Sequence, residues 1–304
     1  MIKVAIVGGS GYVGNILLKI LLNHKYVDVK IVTSTSQQGK KVCEVFPEID
    51  SELVLSKFNY KDINKMDVVF LAVPHGKAKS IVPKLKCKII DITSDHRLTE
   101  IYGLPEIFGN KIRGSKFIAN PGCYATACIL STYPIQDLIK YTVFDCISGY
   151  SGGGRIAKYD YQENIIAYKL SKHYQIKELS NILNFNFSFT PHIVNTFSGL
   201  MCTAHIFLKN KIKLTEIKNQ YKKYYKNSFT KIIENIPSTK NDVVNTPYCN
   251  IGGFELDKNN QLVIVSVIDN LYKGAATQAI ENMNLMFKLD HKEGLKHFSV
   301  KLSK

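Results

Sequence analysis

The sequence predicts an α/β fold: a doubly wound parallel sheet followed by a second, α+β domain with a mixed, largely antiparallel sheet. Three observations predict it. Short β-branched runs alternate with stretches of helical spacing in the first part of the chain, as parallel strands joined by crossover helices do. After about residue 140 the strands read as those of a more antiparallel, open-faced sheet. The length of 304 residues suits two domains rather than one.

Lys3 to Val7 is a β-branched run stopped by Gly8 and Gly9, which marks a buried strand. Tyr12 to Asn23 carries Val13, Leu17, Leu18, Leu21 and Leu22 at helical spacing. Asp28 to Thr33, Asp67 to Val73 and Cys87 to Ile92 are further strands, with a helix over Lys77 to Leu85. In the second part, strands are expected at Val143 to Ile147, Phe185 to Thr190, Met201 to Leu208 and Leu262 to Ile268. Thr215 to Asn235 reads as a helix with a lysine-rich face, and Gly274 to Phe287 as the last long helix. There is no internal repeat and no low-complexity linker.

Composition bounds the function classes. Apolar residues make up 45% and charged residues 21%, which excludes a disordered tail or a collagen. The net charge is +15, and 37 of the 40 basic residues are lysine; only Arg97, Arg113 and Arg155 are arginine. Planar, bidentate phosphate recognition favours arginine, so the charge reads as a solvated lysine surface and no nucleic-acid partner is expected. The interleaved Lys222, Lys223, Tyr224, Tyr225 and Lys226 likewise read as a solvated helix face. Seven cysteines without a CxxC pair point to free thiols in a reducing compartment. With no signal-peptide pattern and no stretch of 18 apolar residues, a cytoplasmic protein without a membrane partner is expected.

Gly9-Ser10-Gly11-Tyr12-Val13-Gly14 fits the pattern G-x-G-x-x-G after a strand and at the opening of a helix. There, glycines allow the tight turn and the approach of a pyrophosphate, and the helix N-terminus adds partial positive charge. The pattern makes the first part a Rossmann-type, dinucleotide-binding domain. An acidic residue at the end of the second strand would select NAD; Thr33, Ser34, Thr35 and Ser36, followed by Lys40 and Lys41, favour the 2′-phosphate of NADP(H).

Asn120-Pro121-Gly122-Cys123 places a cysteine after a Pro-Gly turn and before an apolar helix. A helix N-terminus stabilises a thiolate, so Cys123 is the candidate nucleophile. Cys43, Cys87, Cys128, Cys146, Cys202 and Cys249 are expected to be small buried hydrophobes, and no metal-ligand spacing occurs. A cysteine with a nicotinamide dinucleotide suggests acyl-thioester chemistry, in which an aldehyde and an acyl phosphate interconvert.

Nearly end to end, the chain resembles the N-acetyl-γ-glutamyl-phosphate reductases of the aspartate-semialdehyde dehydrogenase superfamily. The resemblance runs through Val7 to Gly14, Asp91 to Leu98, Tyr102 to Glu106, Asn120 to Ala127, Ser151 to Arg155, Glu163-Asn164, Phe189 to His192, Pro237 to Thr239 and Asp269 to Ala279. It implies a nucleotide domain over 1–123 completed by the C-terminal helix 271–304, and a catalytic and dimerisation domain over 124–270, in a homodimer or homotetramer. It further implies Pro74, His75, Asn270, Lys273 and Gly274 at the cofactor, and Arg97, Asn120, Gly122, Gly153, Arg155 and His192 at substrate or phosphate. His173 matches the first histidine of the family's His-x-His segment and Glu178 its carboxylate, so these join Cys123 as expected catalytic residues. His192 is the alternative acid/base. His24, His291 and His297 lie in polar helical or terminal contexts.

Two departures bear on the substrate. Gln175 stands where the family has its second histidine, and Ser198 where it has an arginine. The expected reaction is NADPH-dependent reduction of N-acetyl-γ-glutamyl phosphate to a semialdehyde, releasing inorganic phosphate. The alternatives are the same reaction on a glutamyl or aminoadipyl phosphate held by an acidic carrier protein, and a non-catalytic NADP-binding regulator.

Overall fold

In the computed structural model, residues 1–154 and 160–298 are described, and the chain divides into two units. The first unit comprises Met1–Pro121 and Ala275–His297; the second comprises Gly122–Gly274 together with Phe298. Arg155 lies outside the described residues.

The first unit is a seven-stranded, wholly parallel sheet. Its strands are β1 (Ile2–Val7), β2 (Val27–Thr33), β3 (Leu55–Ser56), β4 (Val68–Leu71), β5 (Lys88–Asp91), β6 (Ile101–Tyr102) and β7 (Phe117–Ala119), in the order β3-β2-β1-β4-β5-β7-β6. Val68–Leu71 is buried throughout, as expected of a strand covered on both faces. The helices are α1 (Tyr12–Leu21), the single turns α2 (Val42–Val45), α3 (Tyr60–Ile63) and α4 (Ala78–Ile81), and α5 (Pro105–Ile112). The helix expected over 77–85 is thus one α-turn followed by a 3₁₀ turn, Val82–Lys84, that opens on Pro83. Ala5, Val7, Val69, Leu71 and Ile89 pack with Ile63 and Ala78 on one side of the sheet. His24, expected in a polar context, is instead buried; its Nε2 donates to Asn284 Oδ1.

The second unit carries a mixed sheet and, among the described residues, three α-helices. The strands are β8 (Ile139–Gly149), β9 (Ile165–Ala167), β10 (Asn186–Val194), β11 (Leu200–Leu208), β12 (Thr230–Ile232), β13 (Cys249–Leu256) and β14 (Gln261–Ile268), in the order β12-β13-β14-β11-β8-β10-β9. β8–β10 and β12–β13 are parallel; the other four pairs are antiparallel. Its α-helices are α6 (Cys123–Thr132), α7 (Gln175–Ile182) and α8 (Leu214–Tyr224); the π-helical turn Tyr272–Ala276 crosses the boundary between the units in the chain and leads into α9 (Thr277–Met286) of the first unit.

From Tyr124 onward every residue of α6 is buried, as expected of a helix apolar all round. Tyr221 and Tyr225, at the end of α8, donate their hydroxyls to the carbonyls of Ser131 and Leu130 in its last turn. Two of the tyrosines among the lysines of α8 therefore serve the core. The predicted helix over 215–235 stops at Tyr224, and Thr230–Ile232 is an edge strand beside β13.

Candidate active site

The nucleotide end of the first unit is built around glycine. Gly8 follows β1 with φ +90°, and a Cβ there would lie 2.2 Å from the Ala72 carbonyl oxygen, just past β4. β1 and β4 are the neighbours at which the strand order reverses, the place where open α/β sheets bind ligands. A Cβ on Gly14 would lie 2.5 Å from Gly8 O and 2.7 Å from Gly9 Cα, so α1 rests directly on the turn. Gly11 is the N-cap of α1, ahead of Tyr12 and Val13. These residues fit a pyrophosphate, since side chains there would fill the space its oxygens and the backbone share.

Past the end of β2, Ser34 and Ser10 share a 2.7 Å hydrogen bond, and Ser34 Oγ accepts from Gln37 N. Thr35 and Lys40 are exposed beside them, and Lys41 pairs with Glu52. After β4 come Pro74 and His75, both exposed; His75 Nδ1 accepts from Ser94 N, which leaves the ring proton on Nε2 in the neutral form.

Two residues expected at the substrate bond backbone carbonyls. Arg97 is 5% exposed and donates Nε to Asn120 O and one Nη to Ile92 O. Asn120 is fully buried; its amide donates to Ala275 O and accepts from Asn282 Nδ2. Both hold the strand ends just before Pro121. His96, beside Arg97, bonds Asp91 Oδ2 at 2.6 Å.

In the second unit, Cys123 is the first residue of α6, with Gly122 as N-cap. A glycine N-cap has no side chain to accept the first-turn N–H groups, and α7 supplies both missing acceptors. Glu178 Oε1 accepts from Gly122 N at 2.7 Å, and Gln175 Oε1 accepts from Ala125 N at 2.8 Å. Both side chains are buried. Together they reproduce a capping box from another helix, satisfying the N-cap and N3 amides. Gln175, in place of a histidine, gives Ala125 N–H an acceptor that does not titrate.

Cys123, His173 and Gln175 line one pocket, with Tyr168, Gly153 and Ile193. His173 is buried, stacked on Tyr174 with centroids 4.6 Å apart. Its Nδ1 accepts from Gln175 N, so the neutral ring carries its proton on Nε2, 3.4 Å from the Tyr168 hydroxyl. Tyr168 donates to Tyr124, and Tyr124 to His192 O. Burial pushes the Tyr124 phenol far up, so it stays a donor.

The structure does not bring His192 to this pocket. Side chains alternate along β10: Ile193 lines the pocket, and His192 Nδ1 sits 3.2 Å from Cys146 O. The last matched motif packs around the cysteine. A Cβ on Gly274 would lie 2.6 Å from Cys123 Cβ. Asn270 accepts from Gly199 N and donates to Ser151 Oγ, tying two loops together. Lys273 is fully buried, with Nζ 5.9 Å from the Phe229 ring centre. Ser198 donates to Asp269, which also accepts the amides of Asn245, Leu271 and Tyr272; burial pushes that carboxyl up and these donors pull it back.

Residues 3–115 match the family model described as "Semialdehyde dehydrogenase, NAD binding domain", and residues 123–270 match "Semialdehyde dehydrogenase, dimerisation domain". N-acetyl-gamma-glutamyl-phosphate reductase of Methanococcus vannielii is 38% identical, over 97% of this chain and 98% of its own. The chain belongs to this family. The enzyme of the same name from Methanobrevibacter smithii is 37% identical over 99% of both chains. Among solved structures, aspartate semialdehyde dehydrogenase II of Vibrio cholerae, complexed with ASA, matches with TM-score 0.79 at 19% identity, over 95% of this chain and 98% of its own. The Candida albicans aspartate semialdehyde dehydrogenase, solved with NADP, matches with TM-score 0.74 at 16% identity over the same shares. These two likenesses speak for the fold. The protein is thus an oxidoreductase with a nicotinamide-dinucleotide domain, and these relatives' names lend nothing to a carrier-held substrate. Among the described residues, no helix is long and apolar enough to cross a membrane.

The sequence pointed to Cys123, His173 and Glu178, but not to the capping by Glu178 and Gln175 or to Tyr168. The capping pairs are 50 and 56 residues apart, and no local pattern marks them. Tyr168 lies in an exposed-looking stretch without periodicity.

Proposed function

We propose that the protein reduces N-acetyl-γ-glutamyl phosphate to N-acetylglutamate semialdehyde with NADPH, through a thioester on Cys123. The observation that carries this reading is the shared pocket of Cys123 and His173 at the capped N-terminus of α6. The helix end stabilises the Cys123 thiolate, which attacks the acyl carbon; the C–S bond forms and inorganic phosphate leaves. First-turn amides of α6 stabilise the oxyanion. Gly9 to Gly14, Ser34 and Thr35 would hold NADPH, which would supply the hydride. The Nε2–H of neutral His173 donates a hydrogen bond to the reacting oxygen, and the tetrahedral oxyanion left by hydride addition collapses, breaking the C–S bond to free the semialdehyde and the Cys123 thiolate. In reverse, the thiolate adds to the aldehyde carbonyl and the same N–H steadies the oxyanion until hydride leaves.

Phosphate-dependent NADP reduction with N-acetylglutamate semialdehyde tests the reading, with Cys123→Ser run beside the parent. The parent turns over and the serine variant loses at least a thousandfold. Turnover that survives the change refutes the thioester, and a parent inactive with the free semialdehyde refutes the substrate.

A further inference from the structure

Three cysteines that the proposed reaction leaves unused meet at one point of the second unit's core. Cys128 comes from the middle of α6, Cys146 from β8 and Cys202 from β11, and the last two are direct cross-strand partners. Cys128 Sγ is 3.6 Å from both other sulfurs, and all three lie within 4.8 Å of one another. All are fully buried. Cys128 is 18 and 74 residues from its partners, so the fold assembles the group and no sequence motif announces it.

Three thiolates around one ion, with metal–sulfur bonds of about 2.3 Å, need sulfurs roughly 4 Å apart. The two distances from Cys128 are about 0.4 Å short of that spacing, and the third is no more than 4.8 Å. Three cysteines packed as apolar filling would also touch, so the surroundings decide. The Ser131 and Ser266 hydroxyls adjoin the Cys202 sulfur. The same hydroxyls also reach Cys128 O and Ala127 O, so the sulfurs have polar neighbours in an otherwise apolar core. That lining suits sulfurs that carry negative charge, as they would around a cation, better than it suits apolar filling.

We propose that Cys128, Cys146 and Cys202 form a buried trigonal site for a soft monovalent ion of the Cu(I) class. Thiolates select soft metals, and among the described residues no fourth Cys, His, Asp or Glu completes the tetrahedron that zinc prefers. Each thiol that binds releases its proton to solvent, and the ion keeps its oxidation state. Entry needs the core to open, so uptake and release are slow. Because Cys128 and Cys123 share α6, a bound ion braces the nucleophile's helix without touching the nucleophile.

The test uses the whole chain with its accessible thiols first alkylated, titrated anaerobically with Cu(I) against a competing chelator. The expected result is one ion per chain with three sulfur neighbours at about 2.3 Å by X-ray absorption. Cys146→Ala and Cys202→Ala each weaken retention at least tenfold. The ligand count on the alkylated parent does not depend on any variant folding. No retained ion, an ion with two sulfur neighbours, or retention indifferent to both alanine changes overturns the proposal.

Discussion

Replacing Glu178 by glutamine and by alanine separates a positioning role from proton transfer. The carboxylate is 2% exposed and accepts Gly122 N–H at 2.7 Å. Glutamine keeps an acceptor there but exchanges a charge-assisted bond, about 1.5–3 kcal/mol, for a neutral one of about 0.5–1.5 kcal/mol. The net loss is about 1 kcal/mol, or roughly 2–4 °C in Tm for a unit of this size. Alanine strands a buried N–H and opens a void, costing roughly 2–4 kcal/mol and about 5–15 °C. With the first turn of α6 frayed, Glu178→Ala loses more than a hundredfold in kcat, whereas Glu178→Gln stays within tenfold. Thermal melts beside steady-state turnover read both quantities. A glutamine variant that melts like the parent but loses over a thousandfold in kcat assigns Glu178 to proton transfer. An alanine variant unchanged in both shows that this hydrogen bond does not hold α6.

Gly14→Ala drives a methyl against Gly8 O and Gly9 Cα, an overpacking cost of about 1–3 kcal/mol. It weakens NADPH binding at least tenfold in a fluorescence titration; unchanged affinity removes the glycine turn from the cofactor site. Gly274→Ala presses on Cys123 Cβ, and iodoacetamide should alkylate Cys123 several-fold more slowly or faster than in the parent; an identical rate refutes that contact's importance. Burial holds the His24 imidazole below its ordinary value of 6.5. The unfolded chain therefore takes up a proton that the folded chain refuses, and stability falls as pH drops from 7 through 6.5 toward 5. His24→Gln flattens that slope in denaturant titrations, and an equal slope removes His24 from the acid response.

The glycine turn and the strands beside it were legible because strand, turn and helix there are fixed by neighbours within a few residues. Cys123 was legible for the same reason, through the turn that precedes it. The end of α8 was not: the lysine-rich pattern continues past Tyr224, and only pairing with β13 makes Thr230–Ile232 a strand. His192 directly follows a recognisable Thr-Pro step, yet the two-residue period of β10 turns its ring away from the nucleophile. Arg97 and Asn120 stood out as rare or matched polar residues. Their burial against backbone carbonyls depends on how strand ends meet, which no local spacing encodes.

The capping of α6 also bears on how the chain is made. Cys123 leaves the ribosome more than fifty residues before Glu178, its helix's last acceptor. Until α7 has emerged and docked, the first turn of α6 has neither of the two side-chain acceptors that satisfy it in the folded chain. The nascent chain thus carries its thiol without the organised helix end that would make it nucleophilic. The nucleophile's helix end is completed only when α7 docks.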